Sequence, residues 1–267
     1  MYYILIILLA LAFFYLKYSN YVPILMYHRI DHAQGDRNTL SPEKFAQQMD
    51  YLSKHGYHTI TMEQLQDYYI NKKVLPSKPV VLTFDDGYKD NLTKALPILQ
   101  KYDFIGNVFP IFNWLGKENR WENFGKPITT TMEAQELLKW QAAGNYIGSH
   151  TCEHPSLSNI SYQELQQELA DSKAQLEALT GREITCICYP YGNFNTAVME
   201  QAKSCGYKLG LAIFDNVPLG SLNLLALPRI PIPSGQKMWE FKLKVSKFHM
   251  IFVILRQLER NTKKLFR

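Results

Sequence analysis

Apolar and polar positions change in blocks along residues 22–232, and each block has the length of one strand or one helix. Short apolar runs, such as residues 80–84 and 184–188, predict buried strands. Leucines three, four or seven residues apart in 161–180 predict an amphipathic helix. Strand and helix patterns follow one another along the chain. This alternation predicts an α/β fold in which helices wrap a largely parallel sheet.

Capping signals predict where several of the helices begin. Ser41 before a proline is typical of a helix start. Two further stretches have the spacing of a capping box, in which a hydroxyl and a carboxylate satisfy each other's backbone amides. These are Thr130 with Glu133 and Ser161 with Glu164. We therefore expect helices to begin directly after Thr130 and after Ser161.

Composition separates a near-neutral body from a basic tail. The 267 residues carry a net charge of +5, and 46% of them are hydrophobic, as is ordinary for a globular protein. Nine of the 29 Lys and Arg residues fall in residues 237–267, against two acids, so the remainder is close to neutral. This distribution argues against a nucleic-acid partner for the body.

The first 16 residues are almost wholly apolar, which predicts a membrane anchor over residues 1–20. A cleaved signal peptide is the alternative, but no Lys or Arg precedes the apolar run and no small-residue cleavage site follows it. Lys17 lies on the far side of the run, so the positive-inside rule favours a single-pass protein of the bacterial inner membrane with its domain on the cytoplasmic face.

We predict three regions: an anchor over 1–20, a catalytic domain over 21–236 and a basic amphipathic tail over 237–267. The tail is consistent with a helix packed on the domain or with one lying on an anionic bilayer, and both can hold. The four cysteines lack the spacing of a structural zinc site, which favours free buried thiols and a reducing compartment.

Candidate chemistry is concentrated at the end of one predicted strand. The apolar run from Val80 stops on Asp85, Asp86 and a glycine. Asp-Gly is also a common hairpin turn, so this stretch alone leaves two interpretations open. His150 and His154 follow downstream. Two imidazoles and one carboxylate form a plausible divalent-metal site with one position left for water.

Three motifs occur in order along the chain: TFDDG at 83–87, H-T-x-x-H-P at 150–155 and Y-P-Y-G at 189–192. Together they resemble the NodB-like polysaccharide deacetylases, the fourth carbohydrate esterase family, over residues 22–232. The early LMYH stretch at 25–28 is similar to the subset that deacetylates poly-N-acetylglucosamine. The resemblance implies a distorted (β/α) barrel of the NodB-homology type, here flanked by the anchor and the basic C-terminal helix. Chemistry in such barrels gathers at the C-terminal ends of strands.

The resemblance also implies roles for individual residues. Asp86, His150 and His154 would hold a divalent metal, with Zn²⁺ expected. Asp85 would be the general base. The backbone amide of Tyr191 would stabilise the oxyanion.

Two positions depart from the family pattern. Many members carry an arginine two residues before the motif proline, where this chain has Cys188. Arg229 is the candidate substitute for orienting the base. Many members also supply a general acid from a late histidine motif that is missing here, so His28 is the candidate acid.

We therefore expect metal-dependent hydrolysis of an N-acetyl group on an amino sugar. The predicted substrate is a membrane-associated glycan or a polyprenyl-phosphate-linked sugar. An exported polymer such as poly-N-acetylglucosamine is the alternative substrate. A glycan-binding pseudoenzyme and a scaffold that uses the basic tail are the non-catalytic alternatives.

Overall fold

The computed structural model describes residues 21–32, 35–121, 127–213 and 222–249. One compact unit spans residues 24–235, and a second contains the described residues 21–23 and 236–249. The predicted anchor and most of the predicted tail lie outside the described residues. Within the described ranges, no helix combines the length and the apolar composition needed to cross a membrane.

The described residues form ten strands, most of them short. They are β1 (Ile24–Tyr27), β2 (Arg29–Ile30), β3 (Thr39–Leu40), β4 (His58–Thr59), β5 (Pro79–Asp86), β6 (Asn107–Pro110), β7 (Tyr146–Ile147), β8 (Cys186–Cys188), β9 (Leu209–Ile213) and β10 (Leu227–Pro231).

Helices fill most of the connections between these strands. They are α1 (Pro42–Lys54), α2 (Met62–Asn71), α3 (Leu96–Lys101), α4 (Ala134–Ala142), α5 (Tyr162–Thr180), α6 (Thr196–Ser204) and α7 (Met238–Val245), with a π-helical turn at Asn91–Ala95 and 3₁₀ turns at Phe112–Trp114, Leu157–Asn159 and Pro190–Gly192.

The main sheet is parallel and runs in the order β7-β6-β5-β1-β10-β9-β8, with β4 pairing on β5. Strand β1 lies at its centre, where Leu25 pairs with Leu82 of β5 and with Ile230 of β10. All four residues of β1 are buried. Parallel strands that are covered on both faces have continuous apolar sequences, which is why the apolar run at 80–84 correctly predicted β5.

A single parallel bridge between Ser149 and Ile187 joins the two ends of this strand order. The Ser149 amide donates to the Cys186 carbonyl at 3.0 Å, and the Cys188 amide donates to the Ser149 carbonyl at 2.8 Å. Gly148 precedes the bridge at a place where a Cβ would lie 2.3 Å from the Phe109 ring. The sheet is therefore curled, and the predicted α/β fold with helices around a parallel sheet is confirmed.

The predicted helix start at Thr130 is wrong. Helix α4 begins at Ala134, and its capping box joins Glu133 to Glu136. Thr130 instead accepts the Lys89 amide through its carbonyl, and the Met132 amide donates to the Gly87 carbonyl at 2.8 Å. Residues 130–132 are therefore hydrogen-bonded to the segment after β5 and cannot form the first turn of a helix.

The second predicted capping box is confirmed. Ser161 accepts the Glu164 amide through its hydroxyl, and the Glu164 carboxylate accepts the Ser161 amide at 2.9 Å. Helix α5 then runs to Gly181, whose φ of 65° ends it in the left-handed conformation. Its buried face carries Leu165, Leu169 and Leu176.

All four cysteines are free thiols, and three of them are buried. Cys186 and Cys188 flank Ile187 in β8, at positions whose side chains point to the same face of the strand.

Candidate active site

The carboxyl ends of β1, β5, β8 and β10 meet at one edge of the sheet and border a cleft of about 420 Å³. Parallel strands bring their carboxyl ends to the same edge, which is where ligands bind in α/β sheets. The cleft is lined by every residue for which the sequence predicted a role: His28, Asp85, Asp86, His150, His154, Tyr191 and Arg229.

Asp85 and Arg229 form a buried bidentate ion pair at the base of the cleft. The two guanidinium nitrogens Nη1 and Nη2 donate to Oδ1 and Oδ2 of Asp85 at 2.6 and 2.8 Å. Arg229 is 1% exposed and Asp85 is 3% exposed. Nη1 also donates to the Thr83 hydroxyl at 3.2 Å. Such a fork fixes the plane of the carboxylate as well as its position.

The pKa of Asp85 reflects two opposing effects. Burial raises the pKa of this carboxyl, but the Arg229 charge and its hydrogen bonds outweigh burial and hold the pKa well below its usual range. The carboxylate therefore stays ionised at neutral pH. The Cys188 thiol also points at Asp85, with Sγ 3.5 Å from Oδ1. Arg229 therefore makes the contact with Asp85 that was expected of it, although it lies far along the chain from Cys188, the position of the arginine in the family pattern.

Asp86, His150 and His154 converge beside this pair. Oδ1 of Asp86 lies 3.5 Å from Nε2 of His150 and 3.6 Å from Nε2 of His154. Nδ1 of His150 lies 2.8 Å from the Cys188 carbonyl, which can only accept, so this nitrogen carries the proton. Burial lowers the pKa of His150 to about 4, so its ring is neutral and Nε2 presents a lone pair.

This donor set fits a small divalent metal. Bonds of about 2.1 Å in a tetrahedral site put neighbouring ligand atoms about 3.4 Å apart, close to the separations from Asp86. Asp85, His150 and Cys188 form a second possible cluster. It fits less well, because both Asp85 oxygens are bound to Arg229 and burial raises the pKa of the Cys188 thiol, which keeps it protonated.

The loop at residues 150–154 carries both histidines and is called the histidine loop below. Four residues of the cleft or of this loop adopt the left-handed backbone conformation. Asp86, Thr151, His154 and Tyr191 have φ values of 69°, 70°, 62° and 58°. This region is uncommon for residues other than glycine and is a clear outlier for a β-branched residue such as Thr151. Strain of this kind concentrates at functional sites, where it directs side chains that a relaxed backbone would turn elsewhere.

The histidine loop is held by side chains inside the H-T-x-x-H-P motif and by others outside it. The Thr151 hydroxyl accepts the His154 amide at 3.0 Å, and the Thr151 amide donates to the Ser149 hydroxyl at 3.2 Å. Glu168 of α5 accepts the amides of Cys152 and Glu153 at 2.8 and 3.0 Å. These four bonds fix the loop backbone between the two histidines.

His28 follows β1 and faces the cleft, with Nε2 3.9 Å from Oδ2 of Asp85 and 17% of its side chain exposed. Its carbonyl accepts the buried Asn91 side-chain amide at 2.7 Å. The Ile30 amide donates to Asp90 at 2.9 Å. The segment after β5 therefore anchors the backbone at His28 and directly after it.

Tyr191 occupies a 3₁₀ turn after β8 and is 53% exposed. Its ring lies edge-on to His154, with 4.6 Å between centroids. Gly192 has a φ of 65°, and a Cβ there would lie 2.6 Å from Ile213. The turn therefore needs glycine at this position, which explains the last residue of the Y-P-Y-G motif.

A family model described as polysaccharide deacetylase matches residues 72–210, which is more than half of the chain. The chain belongs to the polysaccharide deacetylase family. It is accordingly an enzyme of the NodB-like class, which removes N-acetyl groups by hydrolysing the amide bond. The matched residues include Asp85, Asp86, His150, His154 and Tyr191.

Individual relatives extend the likeness over most of the chain. YxkH of Bacillus subtilis is 29% identical over 214 residues, which cover 80% of this chain and 72% of that protein. The Escherichia coli poly-beta-1,6-N-acetyl-D-glucosamine N-deacetylase is 22% identical across 83% of this chain, but the match spans only 38% of that relative.

Solved structures show the same fold. The deacetylase PplD of Streptococcus pyogenes, in complex with acetate, superposes with a TM-score of 0.71 at 25% identity, covering 84% of this chain and 98% of PplD. IcaB from Ammonifex degensii has a TM-score of 0.70 at 23% identity, covering 84% and 97% of the two chains.

The sequence did not predict several elements and residues that hold the side chains of the site in place. Strand β10, which carries Arg229, was not predicted as a strand. Glu168 lies outside every motif, and no sequence signal distinguishes it from other acids on α5. Arg29 also lies outside every motif, yet it is buried and contacts Asp90, with Nε 3.5 Å from Oδ2.

Removing the guanidinium of Arg229 should impair Asp85 selectively. We expect Arg229→Gln to lower turnover by roughly 10- to 100-fold, as is typical for loss of a supporting hydrogen-bond partner. The acid limb of the pH–rate profile should move to higher pH, because the Arg229 charge and hydrogen bonds no longer oppose the effect of burial on the Asp85 pKa. Arg229→Lys should keep that limb low, since it retains the charge, while losing part of the turnover.

The control for Arg229→Gln is Arg120→Gln, which removes an exposed arginine. Circular dichroism should first show that each variant is folded, because breaking a buried pair costs about 3–5 kcal/mol. Full activity with an unchanged profile in folded Arg229→Gln would show that Asp85 does not depend on Arg229.

Proposed function

We propose that this deacetylase is metal-dependent and hydrolyses the N-acetyl group of an amino sugar within a glycan. The observation that carries the proposal is the pairing of two carboxylates with different surroundings at one strand end. Asp86 faces two imidazole nitrogens at 3.5 and 3.6 Å, and Asp85 is held by Arg229. One carboxylate is thus suited to a metal and its neighbour to proton transfer.

Asp86, His150 and His154 would hold the ion, with Zn²⁺ expected from the mixed nitrogen and oxygen donors. When bound, the ion would supply polarisation of the acetamide carbonyl and a lowered pKa for a water molecule. The Cys188 carbonyl orients His150 through Nδ1, which presents Nε2 to the site.

Asp85 serves as the general base in this proposal. It accepts a proton from the water that attacks the acetamide carbon, and Arg229 keeps its carboxylate ionised and correctly turned. The backbone amide of Tyr191 donates to the oxyanion that develops at the carbonyl oxygen. The neighbouring amides of Gly192 and Asn193 bond to carbonyls within the turn at 2.9 and 3.0 Å, which fixes its shape.

His28 serves as the general acid. Its protonated imidazole donates to the sugar nitrogen as the C–N bond breaks, so the products are acetate and a free amino sugar. His28 lines the cleft together with Asp85, and its backbone is anchored by Asn91. The predicted role therefore has a suitable position, and the pH dependence of the reaction can test it.

The substrate we favour is a membrane-associated glycan or a lipid-linked amino sugar, as the apolar start and basic end of the sequence suggest. Within the described part of the tail, Trp239 and Phe248 are 63% and 54% exposed beside exposed lysines, a composition typical of interfacial helices. An exported polymer is the second candidate. It is supported by the likeness to the Escherichia coli poly-beta-1,6-N-acetyl-D-glucosamine N-deacetylase.

A C-terminal reporter fusion separates these two substrates. A reporter that is active only in the cytoplasm should give a signal if the domain lies on the inner face of the membrane. A signal from a periplasmic or extracellular reporter would instead favour the exported polymer.

The metal assignment is tested by bound metal and released acetate, measured together on an N-acetylglucosamine oligosaccharide. We expect His150→Ala and Asp86→Ala to lose both. Asp85→Asn should retain the metal but lose turnover, because only the base is removed. His55→Ala is a matched control, since this histidine is exposed at a helix end and bonds to the Tyr51 carbonyl.

Equal metal loss in Asp85→Asn and Asp86→Ala would show that the two roles are wrongly divided. Retention of metal by wild-type protein that releases no acetate from any N-acetylated glycan would favour the pseudoenzyme alternative.

Replacing His28 with Ala should lower kcat by more than it raises KM, because an acid acts mainly in the transition state. Deprotonation of this acid reduces the rate as pH rises, so the basic limb of the pH–rate profile should shift or disappear. His32→Ala is a nearby control, an exposed histidine paired with Glu43. A near-normal rate with an unchanged profile would assign His28 a structural role alone.

A further inference from the structure

Arg37 is a cation of the cleft that the proposed mechanism does not use. It lies in the turn between β2 and β3 and lines the same cleft as His28 and Asp85. Its side chain is exposed. The other arginine of the cleft, Arg229, is buried and occupied by Asp85. Arg37 therefore presents a positive charge to whatever enters the cleft.

The backbone that carries Arg37 is fixed on both sides. Oδ1 of Asp36 accepts the Asn38 amide at 3.0 Å, which closes the turn around Arg37. The Arg37 carbonyl accepts the Ser234 amide at 2.8 Å, which ties the turn to the segment after β10. An exposed guanidinium on an ordered turn loses less entropy on binding than one on a free loop.

The carboxylate of Asp36, which precedes Arg37, and the two carboxylates that line the cleft are occupied by other groups. Asp36 accepts hydrogen bonds within its own turn, from Asn38 and from the Thr39 hydroxyl. Asp85 is bound at both oxygens by Arg229, and Asp86 faces the two histidines. Across the described ranges, no carboxylate forms an ion pair with Arg37.

We propose that Arg37 forms a subsite for an anionic group of the glycan, a carboxylate or a phosphate, carried near the N-acetylated sugar. This inference rests on the proposed function and narrows its substrate to acidic glycans. A guanidinium matches both anions through paired N–H donors. Lys44 adds a second cation beside the turn, because its ammonium donates to the Ser234 carbonyl at 2.8 Å.

The test compares wild type, Arg37→Gln and Arg37→Lys on three oligosaccharides of equal length. One is a neutral N-acetylglucosamine oligomer, one contains N-acetylmuramic acid and so carries a carboxylate, and one carries a phosphate on the sugar. Binding is measured by calorimetry and turnover by acetate release. Arg182→Gln is the matched control, because it removes an exposed arginine that does not line the cleft.

We expect Arg37→Gln to lower affinity and kcat/KM for one anionic oligosaccharide by about tenfold relative to the neutral one, the size of one hydrogen bond to a charged group. Arg37→Lys should recover part of this preference, and Arg182→Gln should keep the wild-type ratio. The oligosaccharide whose affinity and kcat/KM fall more shows whether Arg37 binds a carboxylate or a phosphate.

Equal losses on all three oligosaccharides, or no loss on either anion, would overturn the subsite. Calorimetry decides this independently of catalysis. Absence of acetate release by wild-type enzyme would count against the proposed function alone, while a selective binding loss would still support the subsite.

Discussion

The buried ion pair between Asp85 and Arg229 is the interaction on which the site depends. It joins β5 to β10, which are separated in the sheet by β1, so it fixes three central strands relative to one another. Thr83 extends this link, since its hydroxyl donates to the Leu25 carbonyl of β1 at 2.8 Å and accepts from Arg229. Burying two charges costs several kcal/mol per ion, and an apolar pair of similar volume is often at least as stable. The pair is therefore better explained by what it does to Asp85 than by stability.

Backbone strain is the second constraint that shapes the cleft. Asp86, Thr151, His154 and Tyr191 each have a positive φ, and each such residue costs on the order of 1–3 kcal/mol. The surrounding structure opposes relaxation, because Thr151 bonds within its own loop and Glu168 holds the two residues between Thr151 and His154. Two adjacent carboxylates on a regular strand would point to opposite faces. The left-handed conformation at Asp86 lets both line the same cleft.

Local patterns predicted some elements well and others poorly, for identifiable reasons. Strand β5 is eight residues long and nearly all buried, so its composition alone was sufficient. Strand β10 lies inside the sheet, next to the central strand β1, but contains Pro228 and Pro231, which normally argue against an interior strand. The Thr130 capping signal was locally correct in spacing, yet bonds to the segment after β5 displaced the helix start by three residues.

Local patterns in the chain were sufficient to predict the α/β class, the order of the three motifs and the residue types of a polysaccharide deacetylase. These follow from local spacing, since apolar periodicity and short motifs need no knowledge of distant contacts. The side chains that support the chemistry could be identified only from contacts between distant parts of the chain. Arg229 reaches Asp85 from 144 residues away, and Cys188 orients His150 from 38 residues away. Such contacts arise only when the parallel sheet curls and brings the carboxyl ends of separate strands together, and no local pattern records that closure.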